Sequence, residues 1–190
     1  METETQWSLD LSAALTEASK HGKPVLLQFH RDECAGCKKL DTTTYLDADV
    51  ERELFEWFTP FRQDILKDRA VRSKFSAYWT PSFYFLDLRG NVQYFQNGYF
   101  NAEDFRVLLR LGKAAVDMPR GKYFDVIDLM DEGLRLFPEN LKAATMLFTR
   151  GMAEYLLGKE KSSFRCAMAE IGEVYPLSQE ARMWPWLDRP

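Results

Sequence analysis

The chain has 190 residues, 46% of them hydrophobic and 14% aromatic, so it can bury a sizeable core and is not disordered throughout. Its 25 Lys and Arg against 29 Asp and Glu leave a net charge of −4, which excludes the basic excess of a nucleic-acid-binding protein. The longest apolar runs, such as residues 83–86, are far shorter than the roughly 20 residues of a membrane-spanning helix, so we expect a soluble protein.

The amino terminus bears on the compartment. Residues 1–6 are acidic and polar and lack the basic start and apolar stretch of an export signal, so the cytoplasm is the expected compartment. A mature chain whose signal had been removed would begin in the same way, and its compartment would then be the periplasm.

The first predicted elements are a helix and a buried strand. Apolar residues recur at helical spacing over residues 10–20, and Gly22 followed by Pro24 is a typical helix end. Residues 25–29 are almost wholly apolar and are bounded by breakers, which predicts a central strand covered on both faces.

A second helix and a second strand follow. Residues 50–58 have helical spacing and come after Asp47 and Asp49, which are suitable capping residues. Residues 61–65 favour another buried strand.

The next segment changes period. Residues 82–88 and 92–96 flank a short turn, which predicts a β-hairpin and hence a mixed sheet. Asn101 is a plausible N-cap for a helix that carries Phe105, Leu108, Leu109 and Leu111, with Gly112 near the end of that helix.

These elements predict two domains. The order β-α-β-α-β-β-α, preceded by an additional helix, is that of an α/β domain with a mixed sheet flanked by helices, here residues 1–116. Strand signals vanish beyond it, and an apolar stripe at helical spacing over residues 123–137 predicts an all-α domain over residues 117–190.

The second domain contains an internal repeat. Gly121-Lys122 precedes Pro138 by about the distance at which Gly158-Lys159 precedes Pro176, and the two prolines are 38 residues apart. That offset is typical of helical hairpins that stack because one hairpin cannot bury its own apolar face. Residues 121–176 resemble a tetratricopeptide-type array, with fewer than the usual three repeats.

Cys34 and Cys37 form a Cys-x-x-Cys pair where the first predicted strand gives way to a helix. Unpaired N–H groups and the helix dipole at such a junction favour a thiolate, and can lower the pKa of a free thiol from about 8.5 toward neutrality. Cys34 is therefore the predicted nucleophile, and Cys37, one turn later, is near enough to resolve a mixed disulfide. Cys166 is isolated and is predicted to be a small core residue.

Two motifs identify a family. The first is Cys34-Ala35-Gly36-Cys37, reached through a strand that follows Gly22-Lys23-Pro24, and the second is Trp79-Thr80-Pro81-Ser82. With these motifs, residues 7–115 resemble a thioredoxin-fold protein, in which the second motif carries a cis-proline beside the active site. The resemblance implies that Pro81 faces Cys34, that the Thr80 backbone pairs with an extended client segment, and that Trp79 is an exposed client contact.

Several positions depart from the family pattern. Glu33 stands where thioredoxins usually carry Trp, and Ala35-Gly36 replaces Gly-Pro, so the first helical turn is expected to be looser. Gln28 stands where the family often buries an acid that assists proton transfer at the second cysteine. His30 occupies an aromatic position of the family and is a candidate proton relay near the thiols.

The dicysteine has other interpretations. Cys34 and Cys37 are also compatible with a pair of inert buried thiols or with half of a zinc site. His21, His30 and Cys166 provide no second close-spaced pair of ligands, so no bound metal is expected.

A local basic cluster lies between the two family motifs. It is either a solvated face or an interaction patch. Its members are Lys67, Arg69, Arg72 and Lys74.

Two hypotheses of different classes result. The first is a thiol-disulfide oxidoreductase that needs no organic cofactor, acts on protein clients, and receives electrons from a separate reductase or a small thiol. The second is an adaptor with a weak or purely redox-sensing dicysteine, which binds a protein partner through its helical-repeat tail.

Overall fold

A computed structural model of the chain describes residues 7–8, 10–158 and 161–183. The chain divides into two compact units, Met1–Val116 and Asp117–Pro190. Residues 1–6, which carry the export argument, and Lys159 of the second repeat lie outside the described residues. Within the described ranges, no helix is both long and apolar enough to cross a membrane.

The first unit contains a single mixed sheet with helices around it, as predicted. Its strands lie in the order β2-β1-β3-β4, with β1 parallel to β2 and antiparallel to β3. The elements are α1 (Leu11–His21), β1 (Val25–His30), α2 (Ala35–Thr42), α3 (Ala48–Trp57), β2 (Thr59–Asp64), α4 (Arg69–Lys74), β3 (Ser82–Leu86), β4 (Val92–Asn97) and α5 (Ala102–Asp117).

The central strand β1 separates two hydrophobic cores. Leu27 and Phe29 face a core that includes Ala14 and Ala18 of α1, whereas Leu26 faces a core with residues of α3 and α5. All these side chains are fully buried. The apolar run at residues 25–29 therefore does form a strand covered on both faces. The dicysteine follows the carboxyl end of this buried strand.

Two helices rather than one connect the dicysteine to β2. The hydroxyls of Thr42 and Thr43 donate to the carbonyls of Lys38 and Lys39, at 2.9 and 2.6 Å, and α2 ends there. The carboxylate of Asp47 then accepts from the Val50 amide at 3.0 Å and caps α3. Side-chain hydroxyls that bond to nearby backbone compete with helix continuation, which explains the break.

Gly112 does not mark the end of α5, which continues to Asp117. A Cβ at this position would overlap the ring of Phe85, so the glycine allows α5 to lie directly against β3. A helical glycine can thus serve close packing as well as termination.

The second unit is helical, as predicted. Tyr123 of α6 and Lys161 of α8 are 38 residues apart, which equals the offset between Pro138 and Pro176. The assignment to tetratricopeptide-type repeats stays a prediction. The helices are α6 (Tyr123–Leu136), α7 (Ala143–Leu156), α8 (Lys161–Val174) and α9 (Gln179–Arg182).

Cys166 is exposed on α8, so its prediction as a core residue was wrong. The buried face of α8 carries Ala167, Met168 and Ile171, and a cysteine one position before that face points away from it. A lone small apolar residue in a sequence does not reveal which side of a helix it occupies.

Candidate active site

Cys34 caps the amino terminus of α2. Its Sγ accepts a hydrogen bond from the Cys37 amide at 3.2 Å, which satisfies one of the N–H groups that a helix start leaves without a partner. The Cys34 amide donates to the Arg31 carbonyl at 3.2 Å, so the loop after β1 holds the sulfur in this position. The dicysteine is in the dithiol state, with Cys34 5% and Cys37 3% exposed.

The two thiols differ in ionisation. Burial works against the Cys34 thiolate, but hydrogen bonds from the Cys37 thiol, Thr80 and backbone amides outweigh it and lower the pKa of Cys34. Burial, reinforced by the hydrogen bond to Cys34 and the charge on it, raises the pKa of Cys37 to about 12. Cys34 is therefore the first of the two sulfurs to ionise as the pH rises, and Cys37 keeps its proton near neutral pH.

Pro81 lies against the helix that carries the two cysteines. The Thr80–Pro81 peptide bond is cis. An ideal Cβ at Gly36 would be 3.0 Å from Cδ of Pro81, so the absence of a side chain at position 36 permits this contact. From the sequence, Gly36 was predicted to loosen the first turn of the helix; what the structure shows is that it makes room for Pro81.

Thr80 has a contact that the sequence analysis missed. Its side chain hydrogen-bonds to both thiols and lowers the pKa of each. From the sequence, only the backbone of Thr80 was predicted to have a role, which was to pair with an extended client segment. A threonine before the family's proline was the available signal, but its hydroxyl comes to the sulfurs only through folding of a chain segment more than forty residues away.

A groove of about 660 Å³ opens beside Cys34. Trp79 lines it and is 55% exposed, in keeping with its prediction as an accessible side chain. Tyr78 and Leu66 also line the groove and are 80% and 67% exposed. A client segment in this groove would place its disulfide beside Cys34.

Behind the dicysteine lies a polar cluster in the sheet. Gln28 is fully buried, and its Oε1 accepts from the Tyr45 hydroxyl at 2.9 Å and from Arg62 Nε at 3.1 Å. Arg62 also pairs with Asp41 at 2.8 Å. Among the described residues, the amide nitrogen of Gln28 has no hydrogen-bond partner. Gln28 thus replaces a buried acid by an amide, and Arg62, its register partner on β2, supplies a cation that the sequence analysis did not single out.

His30 lies at the end of β1 in a half-buried position. Burial and the neighbouring charge of Arg62 lower its pKa, against the opposing effect of Asp64, Asp32 and Asp41. The imidazole is therefore neutral near pH 7, a state that can accept a proton. Its role as a relay stays a prediction.

In the described residues, the dicysteine is not part of a cluster of potential metal ligands. In the part of the chain that the structure describes, no group of three or more His, Cys, Asp or Glu residues is arranged to hold a metal ion. His21, the other histidine, ends α1 and pairs with Glu17 at 3.1 Å.

Comparison with known proteins agrees with this geometry. The thioredoxin-like domain family matches residues 11–113. The thiol:disulfide interchange protein DsbD of Ralstonia nicotianae is 31% identical over 105 residues, which cover 53% of this chain and 17% of that protein. DsbD of Yersinia pestis is 32% identical over 85 residues, which cover 43% of this chain and 14% of that protein. The chain therefore matches less than a fifth of the length of each relative.

Among solved structures, a thioredoxin from Thermus thermophilus superposes with a TM-score of 0.51 at 23% identity. The match covers 56% of this chain and 85% of that one, and it supports the fold of the first unit.

Proposed function

The chain belongs to the family of thioredoxin-like domains, and from that premise we propose that it is a thiol-disulfide oxidoreductase acting on protein clients through Cys34 and Cys37. The observation that carries the proposal is the position of Cys34 Sγ at the amino terminus of α2, where it accepts from the Cys37 amide at 3.2 Å. The opposite directions of the two thiol pKa shifts agree with this geometry, since they favour ionisation of Cys34 and keep Cys37 protonated. Inert buried thiols would not require this asymmetry.

The reaction proceeds in two exchanges. The Cys34 thiolate attacks one sulfur of a client disulfide, forms a mixed disulfide, and releases the other client sulfur as a thiolate that takes up a proton. Cys37 then loses its proton and attacks Cys34 Sγ, which forms the Cys34–Cys37 disulfide and releases the second client thiolate. Two electrons and two protons pass to the client, and a separate reductase or small thiol restores the dithiol.

The surrounding residues have distinct proposed roles. Thr80 and Pro81 position the extended client backbone next to Cys34, and Trp79 contacts its side chains. Attack by Cys37 requires a proton acceptor, because its pKa is about 12 while Cys34 is a thiolate. Conversion of Cys34 to a mixed disulfide removes that negative charge and so favours ionisation of Cys37. Neutral His30 is the proposed relay for this proton.

Insulin reduction by dithiothreitol tests the proposal. We expect the intact protein to accelerate the reaction, Cys34→Ser to abolish the acceleration, and Cys37→Ser to accumulate a mixed disulfide with the client. Cys166→Ser is the matched control, because it removes an exposed thiol of the second unit, and it should turn over like the wild type. No acceleration over buffer by the intact protein would favour the adaptor hypothesis instead.

A further inference from the structure

The groove beside Cys34 contains more positive than negative charge. Among its lining residues, Arg31 and Arg72 oppose the single carboxylate of Glu33. Neither arginine forms an ion pair with a carboxylate of the described residues, and the only side-chain hydrogen bond of Arg72 is a long one of 3.5 Å to the Ile65 carbonyl. A protein with a net charge of −4 thus presents cations beside its nucleophile.

Besides Asp32 and Glu33, which follow Arg31 in the chain, two acidic residues near this groove take part in local structure. Asp64 accepts from the Leu66 amide at 2.8 Å and pairs with Lys67 at 3.5 Å. Asp68 caps α4 by accepting from the Val71 amide at 2.9 Å. Both carboxylates are therefore held by local contacts, and neither forms an ion pair with Arg72 on α4.

The aromatic wall of the groove is held in place. Ala77 is buried, and its amide donates to the Arg72 carbonyl at 3.0 Å, which ties the segment before Tyr78 back to α4. Tyr78 and Trp79 nevertheless expose most of their surface. Exposed aromatic rings beside unpaired arginines form a surface suited to an apolar segment that carries negative charge.

We propose that this groove selects client segments with an acidic side chain flanking the attacked cysteine, held by Arg31 and Arg72, and an apolar side chain against Tyr78 and Trp79. This inference rests on the proposed function and specifies its substrate class. Charge complementarity favours the acidic segment over a basic one, because a basic segment would meet two cations and lose hydration without gaining a partner.

Two matched cyclic peptides, each closed by one disulfide, test the proposal. The two peptides have the same length and the same single aromatic residue. They differ only at the two positions next to the cysteine that is attacked, which are Glu in one peptide and Lys in the other. With the full chain and dithiothreitol, we expect kcat/KM for the Glu peptide to exceed that for the Lys peptide by about tenfold at low salt. The preference should shrink toward unity at high ionic strength, because these charges are partly exposed.

Charge reversal identifies the residues responsible. Arg31→Glu combined with Arg72→Glu should invert the preference, so that the Lys peptide becomes the better substrate. Taking the ratio of the two peptides cancels any change in the pKa of Cys34 that the new charges cause. The matched control, Lys20→Glu with Arg89→Glu, makes the same change in net charge at the end of the sheet where β1 begins, away from the dicysteine, and should keep the wild-type ratio.

An uncharged small disulfide, 2-hydroxyethyl disulfide, separates the two proposals. Turnover of this compound together with equal kcat/KM for both peptides would overturn the selectivity and leave the oxidoreductase standing. The absence of turnover with all three substrates would overturn the oxidoreductase, and the selectivity with it.

Discussion

Cys34 and Cys37 differ because each sulfur meets different neighbours. Cys34 accepts hydrogen bonds from the amides at the start of the helix and from the hydroxyl of Thr80. Cys37 is more deeply buried and lies close to the charge on Cys34. The sequence predicted the position of Cys34 at a helix start, since this depends on residues close to it in the chain. The contribution of Thr80 depends on folding and could not be read from spacing.

The pH dependence of alkylation measures this difference. In a Cys166→Ser background, which removes the exposed thiol, we expect one thiol to react with iodoacetamide in a transition whose midpoint lies below the ordinary thiol pKa of about 8.5. The sign follows from the lowered pKa of Cys34: its thiolate persists to lower pH than that of a free cysteine. Cys37 should react only in more alkaline solution. Mass spectrometry of tryptic peptides assigns each site, and simultaneous reaction of both thiols at the ordinary midpoint would contradict the assignment.

Thr80→Val tests the hydroxyl that the sequence analysis missed. Valine keeps the shape of threonine and removes its hydrogen bonds to the two sulfurs. A hydrogen bond to a charged group is worth about 1.5–3 kcal/mol, so the alkylation midpoint of Cys34 should rise by about one to two pH units. Thr80→Ser, which retains the hydroxyl, should keep the wild-type midpoint. An unchanged midpoint in the valine variant would show that the Cys37 thiol and the backbone amides hold the thiolate without Thr80.

At the scale of elements, the strands were predicted more accurately than the helices. β1 and β3 are short and mostly apolar, and the observed strand limits differ from the predicted ones by only a few residues, as in β2. The division between α2 and α3 depends on threonine hydroxyls that bond to their own helix, a choice that apolar spacing does not encode.

A buried ion cluster joining α3 to α5 was also not predicted. Glu53 on α3 is 3% exposed and accepts from Arg106 at 2.7 Å and from Arg110 at 2.8 Å, both on α5. In the sequence, Glu53 belongs to a charged helix and resembles a solvated residue. Its burial follows only from the packing of α5 beside α3, since both helices cover the same hydrophobic core.

Glu53→Gln should therefore destabilise the first unit. Burial works against ionisation of Glu53, but hydrogen bonds and charges from Arg110 and Arg106 outweigh it and lower its pKa. Removing one partner of a buried ion pair costs about 3–5 kcal/mol in the free energy of unfolding near pH 7. Because folding lowers this pKa, the stabilisation is complete above the pKa of the unfolded carboxyl, about 4.3, and is lost as the pH falls through the lower folded-state value.

Urea unfolding at a series of pH values checks the cost and its direction. The difference between wild type and Glu53→Gln should narrow on acidification. Glu56→Gln, an exposed change on the same helix, should stay within about 0.5 kcal/mol of wild type. A difference that stays constant at every pH would mean that the carboxylate charge is not what stabilises the contact.

At the scale of the whole molecule, local sequence patterns predicted a change from an α/β layer to a helical segment. Loss of strand signals and the appearance of a helical stripe are both local properties, and in the described residues helices α6 to α9 do follow the sheet. The exposure of Cys166 was misjudged because the register of α8 depends on which face packs against α7.

The described groups that act on the sulfurs all belong to the first unit, and this makes the chemistry separable from the helices that follow. Residues 1–121 contain the sheet, both cores and the groove, and they end in the turn that closes at Gly121, where the backbone is left-handed.

Removing residues 122–190 should therefore leave dithiothreitol-dependent insulin reduction within about twofold of the full chain, provided that circular dichroism shows a cooperative thermal transition. The Cys34→Ser form of the same truncated chain is the control and should be inactive. A folded truncated chain that fails to reduce insulin while the full chain succeeds would assign the helical segment a part in client capture, as the adaptor hypothesis requires of it.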